Sequence, residues 1–448
     1  MTEHALPLAM VAALIAGIFT GYPVAFVLGG IGILFMAIGD IPLIYMGTVA
    51  SRISGGILEN WLLIAVPLFV FMGMILERAG IAQNLLISLE ALFGRLHGGL
   101  GVSVAVLGIV LAAGTGSSGA SVVMLSVLAL PHMLAQGYSK ALSSGVVAAS
   151  GTLGIIIPPS IMLVLMGAIL QISVGDLFKA ALVPGLVLGA LYAVFILLTG
   201  WVRPQLAPVG VPGSESQPLG RQLVQLARDL VGPAMLITAV LGSIVGGIAT
   251  PTEAAGVGAA GAMVLAALSR QLKWGMLREA VRGTSATTGM IIFVMIGATC
   301  FSAVFKRLGG DTMIEQSVTG TGMGPYGIIL LLMAIIFFLG FFLEWVEISF
   351  VVLPLFAPIV SGLDFPGVAE RDILVWFTIL VAVNLQTSFL TPPFGYALFY
   401  VRGAAPEGIN TLDIYRGVIP FVGLQLLCLA VLIVWPDFAL GLVRTLRG

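Results

Sequence analysis

Three groups of oxygen-bearing side chains stand out because each lies inside an otherwise apolar stretch. Ser117, Ser118 and Ser121 sit among glycines in Gly114-Thr115-Gly116-Ser117-Ser118-Gly119-Ala120-Ser121. Small residues let hydroxyls and backbone carbonyls converge on a hard cation such as sodium; the same serines equally suit close helix packing. Asn384, Gln386, Thr387, Ser388 and Thr391 directly precede Pro392-Pro393. They offer amide and hydroxyl oxygens to a ligand, or to interhelical hydrogen bonds worth about a kcal/mol each. Glu344 and Glu347 are the sharpest charges. A carboxylate near mid-membrane costs at least about 2.5 kcal/mol, so it holds a proton, a sodium ion or a cationic substrate group, unless it sits at a wet hairpin end or pairs with a base.

The elements that must position these groups are unusual. Ser143–Leu170 carries Pro158-Pro159, and Ile373–Val401 carries Pro392-Pro393. Proline removes a donor and clashes with the preceding turn, so neither stretch can be one continuous helix, and hydrocarbon cannot solvate the freed carbonyls. Such breaks survive where they line a cavity. Corresponding breaks in two halves of a membrane protein point to a midplane site in a secondary transporter. Composition demands a membrane: 59% hydrophobic and 9% charged residues, with a mean hydropathy of +1.14, exceed what a soluble surface tolerates.

We expect an all-α polytopic protein with about ten transmembrane helices, counting the broken ones, plus two re-entrant hairpins, at about 101–134 and 327–360. Broken helices are expected over 143–170 and 373–401. The order is three spans, hairpin, two spans, twice over. This predicts inverted repeats over 1–200 and 230–448, joined by a Pro-rich cytoplasmic linker at 201–229. Asp176-Leu177-Phe178-Lys179 and Asp413-Ile414-Tyr415-Arg416 follow their Pro-Pro pairs at similar distances. Orientation follows the basic cluster Arg270, Lys273, Arg278 and Arg282, read as a cytoplasmic loop, which leaves Arg444 and Arg447 outside. Glu253, in Thr250-Pro251-Thr252-Glu253, suits a helix cap. Cys300 and Cys428 read as buried thiols, and no cleavable signal peptide is expected after Met1-Thr2-Glu3-His4.

No GxxxxGK[ST] loop or HExxH motif occurs, so neither ATP hydrolysis nor a zinc protease is expected, nor any other cofactor. An intramembrane serine hydrolase would need a base near Ser117 or Ser118, and His132 is the one histidine nearby.

Gly151-Thr152-Leu153-Gly154-Ile155-Ile156-Ile157-Pro158-Pro159-Ser160, Thr250-Pro251-Thr252-Glu253-Ala254-Ala255 and Asn384 through Thr391-Pro392-Pro393-Phe394-Gly395 closely resemble signatures of the large membrane subunit of TRAP (tripartite ATP-independent periplasmic) transporters. Gly21-Tyr22-Pro23-Val24-Ala25-Phe26 and Pro67-Leu68-Phe69-Val70-Phe71-Met72-Gly73 are similar to family features too, so the likeness covers essentially the whole chain.

The resemblance implies an elevator-type, non-enzymatic permease of the bacterial inner membrane, driven by sodium gradients to import small organic acids. It also implies a periplasmic binding protein as partner, a small four-helix membrane subunit on a separate chain, and no role for nucleic acid. Carried over by motif, the sodium sites fall at Ser117, Ser118, Ser121, Gly154 and Pro158, and at Thr387, Ser388, Thr391 and Pro392. Substrate is expected between the hairpin tips, at Thr115, Ser118, Thr152, Glu344, Glu347, Asn384 and Gln386. The chain departs from the family pattern in its acidic Leu343-Glu344-Trp345-Val346-Glu347 tip, and in Gln386-Thr387-Ser388 where relatives often have Met-Ile-Gly. These differences resemble a subgroup with less familiar substrates. A stand-alone sodium/dicarboxylate-type symporter without a binding protein is the alternative.

Overall fold

The computed structural model describes residues 4–115, 118–210 and 218–447, with the backbone alone at 113, 115, 118 and 219. Every regular element among the described residues is helical. Seven helices are long and apolar enough to cross a membrane: Trp61–Arg78, Val174–Val202, Gly220–Val245, Pro251–Leu268, Trp274–Arg307, Glu370–Leu390 and Thr411–Val434. Shorter apolar helices fill in around them, including Ala5–Ile18, Val24–Ile38 and Ile81–Phe93.

Local chemistry explains where several of these begin. Thr250 caps Pro251–Leu268: its hydroxyl accepts from the Glu253 amide at 3.3 Å while the Glu253 carboxylate accepts from the Thr250 amide at 2.8 Å. Ser173 accepts from the Asp176 amide at the start of Val174–Val202. Asn410 and Asp413 form a second reciprocal box at the start of Thr411–Val434. The two similar Asp-containing motifs therefore occupy the same place, the third residue of the second helix after each Pro-Pro pair.

Gly99–Thr115 packs against Ser118–Ala135, and Lys140–Thr152 follows. A short 3-10 turn at Leu153–Ile155 and the cis Pro158-Pro159 bond lead into Ile161–Leu170. Later in the chain Pro325–Leu339 turns at Gly340 into Trp345–Val351 and Leu353–Ser361. Glu370–Leu390 then ends at Thr391, the Pro392-Pro393 bond is also cis, and Tyr396–Ala404 resumes the helix.

Some boundaries differ from expectation. The linker placed at 201–229 is helical from Leu219 onward, because Leu219, Leu226 and Leu230 recur at helical spacing among Arg221, Gln225 and Arg228. Arg278 and Arg282, read as loop residues, are exposed on the first turns of the 34-residue Trp274–Arg307 helix. Charge alone does not end a helix, and the nearby Glu279 pairs with Arg78. Tyr45–Ile53, Gly310–Thr319 and the amphipathic Asp437–Arg447 were also not anticipated. Cys300 and Cys428 are buried free thiols.

Two contacts tie distant parts of the chain together. Lys140–Thr152 crosses Thr411–Val434 at facing glycines, where a Cβ on Gly417 would collide with the Ala141 carbonyl and one on Gly145 with the Gly417 carbonyl. The Asp437–Arg447 helix supplies Arg447, which donates to Asp372 at 2.5 Å and to Asp176 at 2.6 Å, and Arg444, which donates to Asp372 at 3.3 Å and to Asp437. Asp372 is only 1% exposed, so these guanidiniums replace its hydration. Hydrogen bonding to Asp176 and Asp372 holds the Arg447 guanidinium above its ordinary pKa. The two arginines placed outside by the orientation argument are thus neutralised by aspartates.

Gly417→Val should destabilise the purified protein by about 1–3 kcal/mol, because the overpacked crossing has backbone on its far side and cannot yield. Thermal unfolding in detergent measures it, with Gly423→Ala as the control, since nothing lies within 4 Å of a Cβ there.

Candidate functional site

The first break is sealed inside the protein: every residue from Leu142 to Ala168 is buried. Thr152, the last residue of its helix, donates its hydroxyl to the Ala149 carbonyl at 2.8 Å. In an unbroken helix the Ile155 carbonyl would accept from residue 159, but Pro159 has no N–H. Ser160 takes over, donating its hydroxyl to that carbonyl at 2.6 Å. At the second break Thr391 plays a related part. Its amide bonds back to Ser388, and its hydroxyl takes the Thr387 carbonyl at 2.7 Å. Thr387 and Ser388 donate to Val383 and Leu385 at 2.8 and 2.9 Å. Each hydroxyl has spent its proton on backbone, so its oxygen can act toward other groups as an acceptor only. That is the donor set a small hard cation needs.

Glu370–Leu390 is buried along almost its whole length and links the two breaks. Asn384 donates to the Met333 carbonyl of Pro325–Leu339 at 2.8 Å. Gln386 donates to Thr152 Oγ1 at 3.5 Å, joining the second broken helix to the first. Both ends of that bond are 0% exposed, and Gln386 Oε1 has no partner among the described residues. An orphaned acceptor in such surroundings costs about 1–3 kcal/mol. Gly340 packs directly on the Ser388 hydroxyl, so only glycine fits at that turn.

A cavity of about 400 Å³ opens beside the breaks. Glu77, Met74 and Gly73 from Trp61–Arg78, and Thr287 and Met290 from Trp274–Arg307, form one part of its wall. Gly119 and Ala120, Thr152, Glu344, Trp345, Phe389, Tyr396 and Tyr400 form the rest. Tyr400 donates to Glu344 Oε1 at 3.3 Å, and Tyr396 donates to the Phe342 carbonyl at 3.0 Å.

Of the residues expected to meet substrate, Thr152 and Glu344 line this cavity. Glu347 is buried one turn further along, while Asn384 and Gln386 are buried in helix contacts and do not reach it. Ser117 lies outside the described residues, as do the side chains of Thr115 and Ser118. Of the expected ion ligands, Ser121, Gly154, Pro158, Thr387 and Ser388 are buried, and Thr391 and Pro392 are partly exposed. The base weighed for a serine hydrolase lies away from Ser118: His132 pairs with Glu90 at 2.7 Å and sits roughly 21 Å along the helix from that residue, at 1.5 Å per residue. Glu77, Trp345, Tyr396 and Tyr400 were missed as site residues. Glu77 directly follows an apolar run, and Tyr396 and Tyr400 share a face at i, i+4 just after the Pro-Pro pair, which is the signal they carried.

An all-helical chain with several membrane-length spans, two internally broken helices and a cavity between them defines a multi-pass membrane transport protein. The chain belongs to the family described as "Tripartite ATP-independent periplasmic transporter, DctM component", which it matches over residues 11–438. It is 30% identical over 387 residues to the C4-dicarboxylate TRAP transporter large permease protein DctM of Pseudomonas aeruginosa, covering 86% of each chain. The Rhodobacter capsulatus protein of the same description is 29% identical over 450 residues, covering 97% of this chain and 98% of that one. In fold, the chain is similar to the Alcanivorax borkumensis YdaH transporter, described as having an unusual topology. The TM-score is 0.58 at 15% identity, covering 90% of this chain and 91% of the other. The protein is therefore a large permease subunit of a TRAP transporter, embedded in the inner membrane and not an enzyme.

The Gln386–Thr152 bond can be weighed by a double-mutant cycle with Gln386→Leu and Thr152→Val. Unfolding measurements should give a coupling of about 0.6 kcal/mol, the average for such bonds in membrane proteins. Strict additivity would mean that the two breaks are not joined there.

Proposed function

We propose that this permease couples an inward sodium gradient to the uptake of a small organic acid delivered by a periplasmic binding protein, with a small four-helix membrane subunit on a separate chain. The observation that carries this reading is the concentration of proton-spent hydroxyls and an unpartnered amide oxygen, Gln386 Oε1, at two adjoining helix breaks. Oxygen ligands without a fixed charge suit a monovalent hard cation that must also leave.

We assign one ion to the first hairpin and first break, around Ser117, Ser118, Ser121, Gly154 and Pro158. The other goes to Thr387, Ser388, Thr391 and Pro392. The repeats 1–200 and 230–448 form inverted halves, a reading supported by Asp176 and Asp413, each the third residue of the second helix after its Pro-Pro pair. In an elevator cycle the hairpins and broken helices move as one body past helices such as Trp61–Arg78 and Trp274–Arg307, and the cavity lies between the two groups. Sodium orders the breaks, substrate then binds, and the loaded body crosses. A half-loaded one crosses poorly, because unpaired polar groups are costly in apolar surroundings.

Proteoliposomes holding this chain, its small subunit and the binding protein should accumulate a labelled organic acid only with an inward sodium gradient and only with the binding protein. Uptake that persists without the binding protein would instead support the stand-alone symporter. Sodium, but not potassium, should also raise the unfolding free energy, by about 2.7 kcal/mol at a hundredfold excess over its dissociation constant. Thr391→Val should remove most of that gain.

A further inference from the structure

The cavity has a charge pattern that does not suit a simple dicarboxylate. Glu77 and Glu344 line it, and no Lys, Arg or His is among its described lining residues. Arg78, next to Glu77 in sequence, makes its ion pair with Glu279. Glu347 follows Glu344 by one helical turn, is 5% exposed, and its Oε2 has no hydrogen-bond partner among the described residues. The bond from the Tyr400 hydroxyl to Glu344 is neutral and supplies no compensating charge. A ligand carrying only negative charge would be pressed against these carboxylates, and like-charge juxtaposition is costly.

The remaining lining chemistry indicates what does fit. Trp345, Phe389, Tyr396 and Tyr400 bring four aromatic rings to the same cavity as Glu344. Aromatic rings beside a carboxylate are the recurrent means of holding an ammonium or quaternary ammonium group, since the ring quadrupole attracts a cation without the desolvation cost of another full charge. Gly119 and Ala120 line the same cavity, and their lack of bulk leaves room beside them for a carboxylate.

Resting on the transport reading above, we infer that the organic acid carried by this permease also bears a positive charge. It is a zwitterion whose ammonium or quaternary ammonium sits between Glu344 and the rings of Trp345, Tyr396 and Tyr400, while its carboxylate faces the Gly119–Ala120 turn. This explains how the cavity accommodates the Glu344 carboxylate with no basic side chain among its described lining residues: the substrate supplies the missing charge.

The test compares three probes with the permease complex reconstituted in sodium buffer and intrinsic tryptophan fluorescence as the readout. The probes are trimethylglycine, its uncharged-headgroup isostere 3,3-dimethylbutyrate, and succinate. Trimethylglycine should bind at least tenfold more tightly than either of the others. Glu344→Gln should remove the discrimination while keeping a cooperative melt, and Tyr400→Phe, which keeps the ring, should retain it. Equal or weaker binding of trimethylglycine, no binding of it, or discrimination that survives Glu344→Gln would overturn the inference. Sodium-driven, binding-protein-dependent uptake of a panel of organic acids by the same preparation separates the two failures. Uptake with succinate preferred overturns the zwitterion alone, whereas no sodium-driven uptake of any acid overturns the transport reading itself.

Discussion

A helix that stops inside an apolar medium leaves backbone groups that no water can reach, and the rest of this structure depends on how those groups are satisfied. At both breaks the proline that removes a donor is accompanied by a hydroxyl that replaces or redirects one. Ser160 reaches the Ile155 carbonyl, and Thr391 takes the Thr387 carbonyl while its own amide turns back to Ser388. The repair leaves these hydroxyl oxygens as acceptors only.

The repair needs a rigid frame, because a few tenths of an ångström decide whether an oxygen is a ligand or a spectator. Glu370–Leu390 provides it by being buried on all sides. Its Asn384 is anchored to the Met333 carbonyl, its Gln386 reaches Thr152, and its Ser388 fits against Gly340. At its opposite end Asp372 is held by Arg444 and Arg447 of the C-terminal helix, and Arg447 also holds Asp176 at the start of Val174–Val202. The glycine crossing at Gly145 and Gly417 brings the first broken helix against Thr411–Val434. These contacts bind parts of the chain far apart in sequence into one packed body.

Family membership fixes the transport role, and the cavity adds a lining of mixed chemistry. Its wall combines Glu77, contributed by a long spanning helix, with Glu344 and aromatic residues contributed by the second hairpin and the second break. The cavity thus lies where a long spanning helix meets the second hairpin and the second break.

Much of this was legible in the chain itself. Two Pro-Pro pairs in apolar stretches specified two broken helices, Thr250 and Glu253 specified a cap, and composition specified the membrane, because each follows from backbone chemistry or solvent that acts locally. Glu344 was recognisable as a site residue because a charge in an apolar stretch needs a reason. The sequence did not reveal that Gln386 meets Thr152 across 234 positions, that Asp372 is neutralised from the C-terminus, or that Glu77 shares a cavity with Tyr400. Nor did it show that Asn384 and Gln386 turn into helix contacts instead of the cavity. Local rules constrain which groups must find partners, whereas the identity of each partner depends on how the helices pack, and only the tertiary structure decides that.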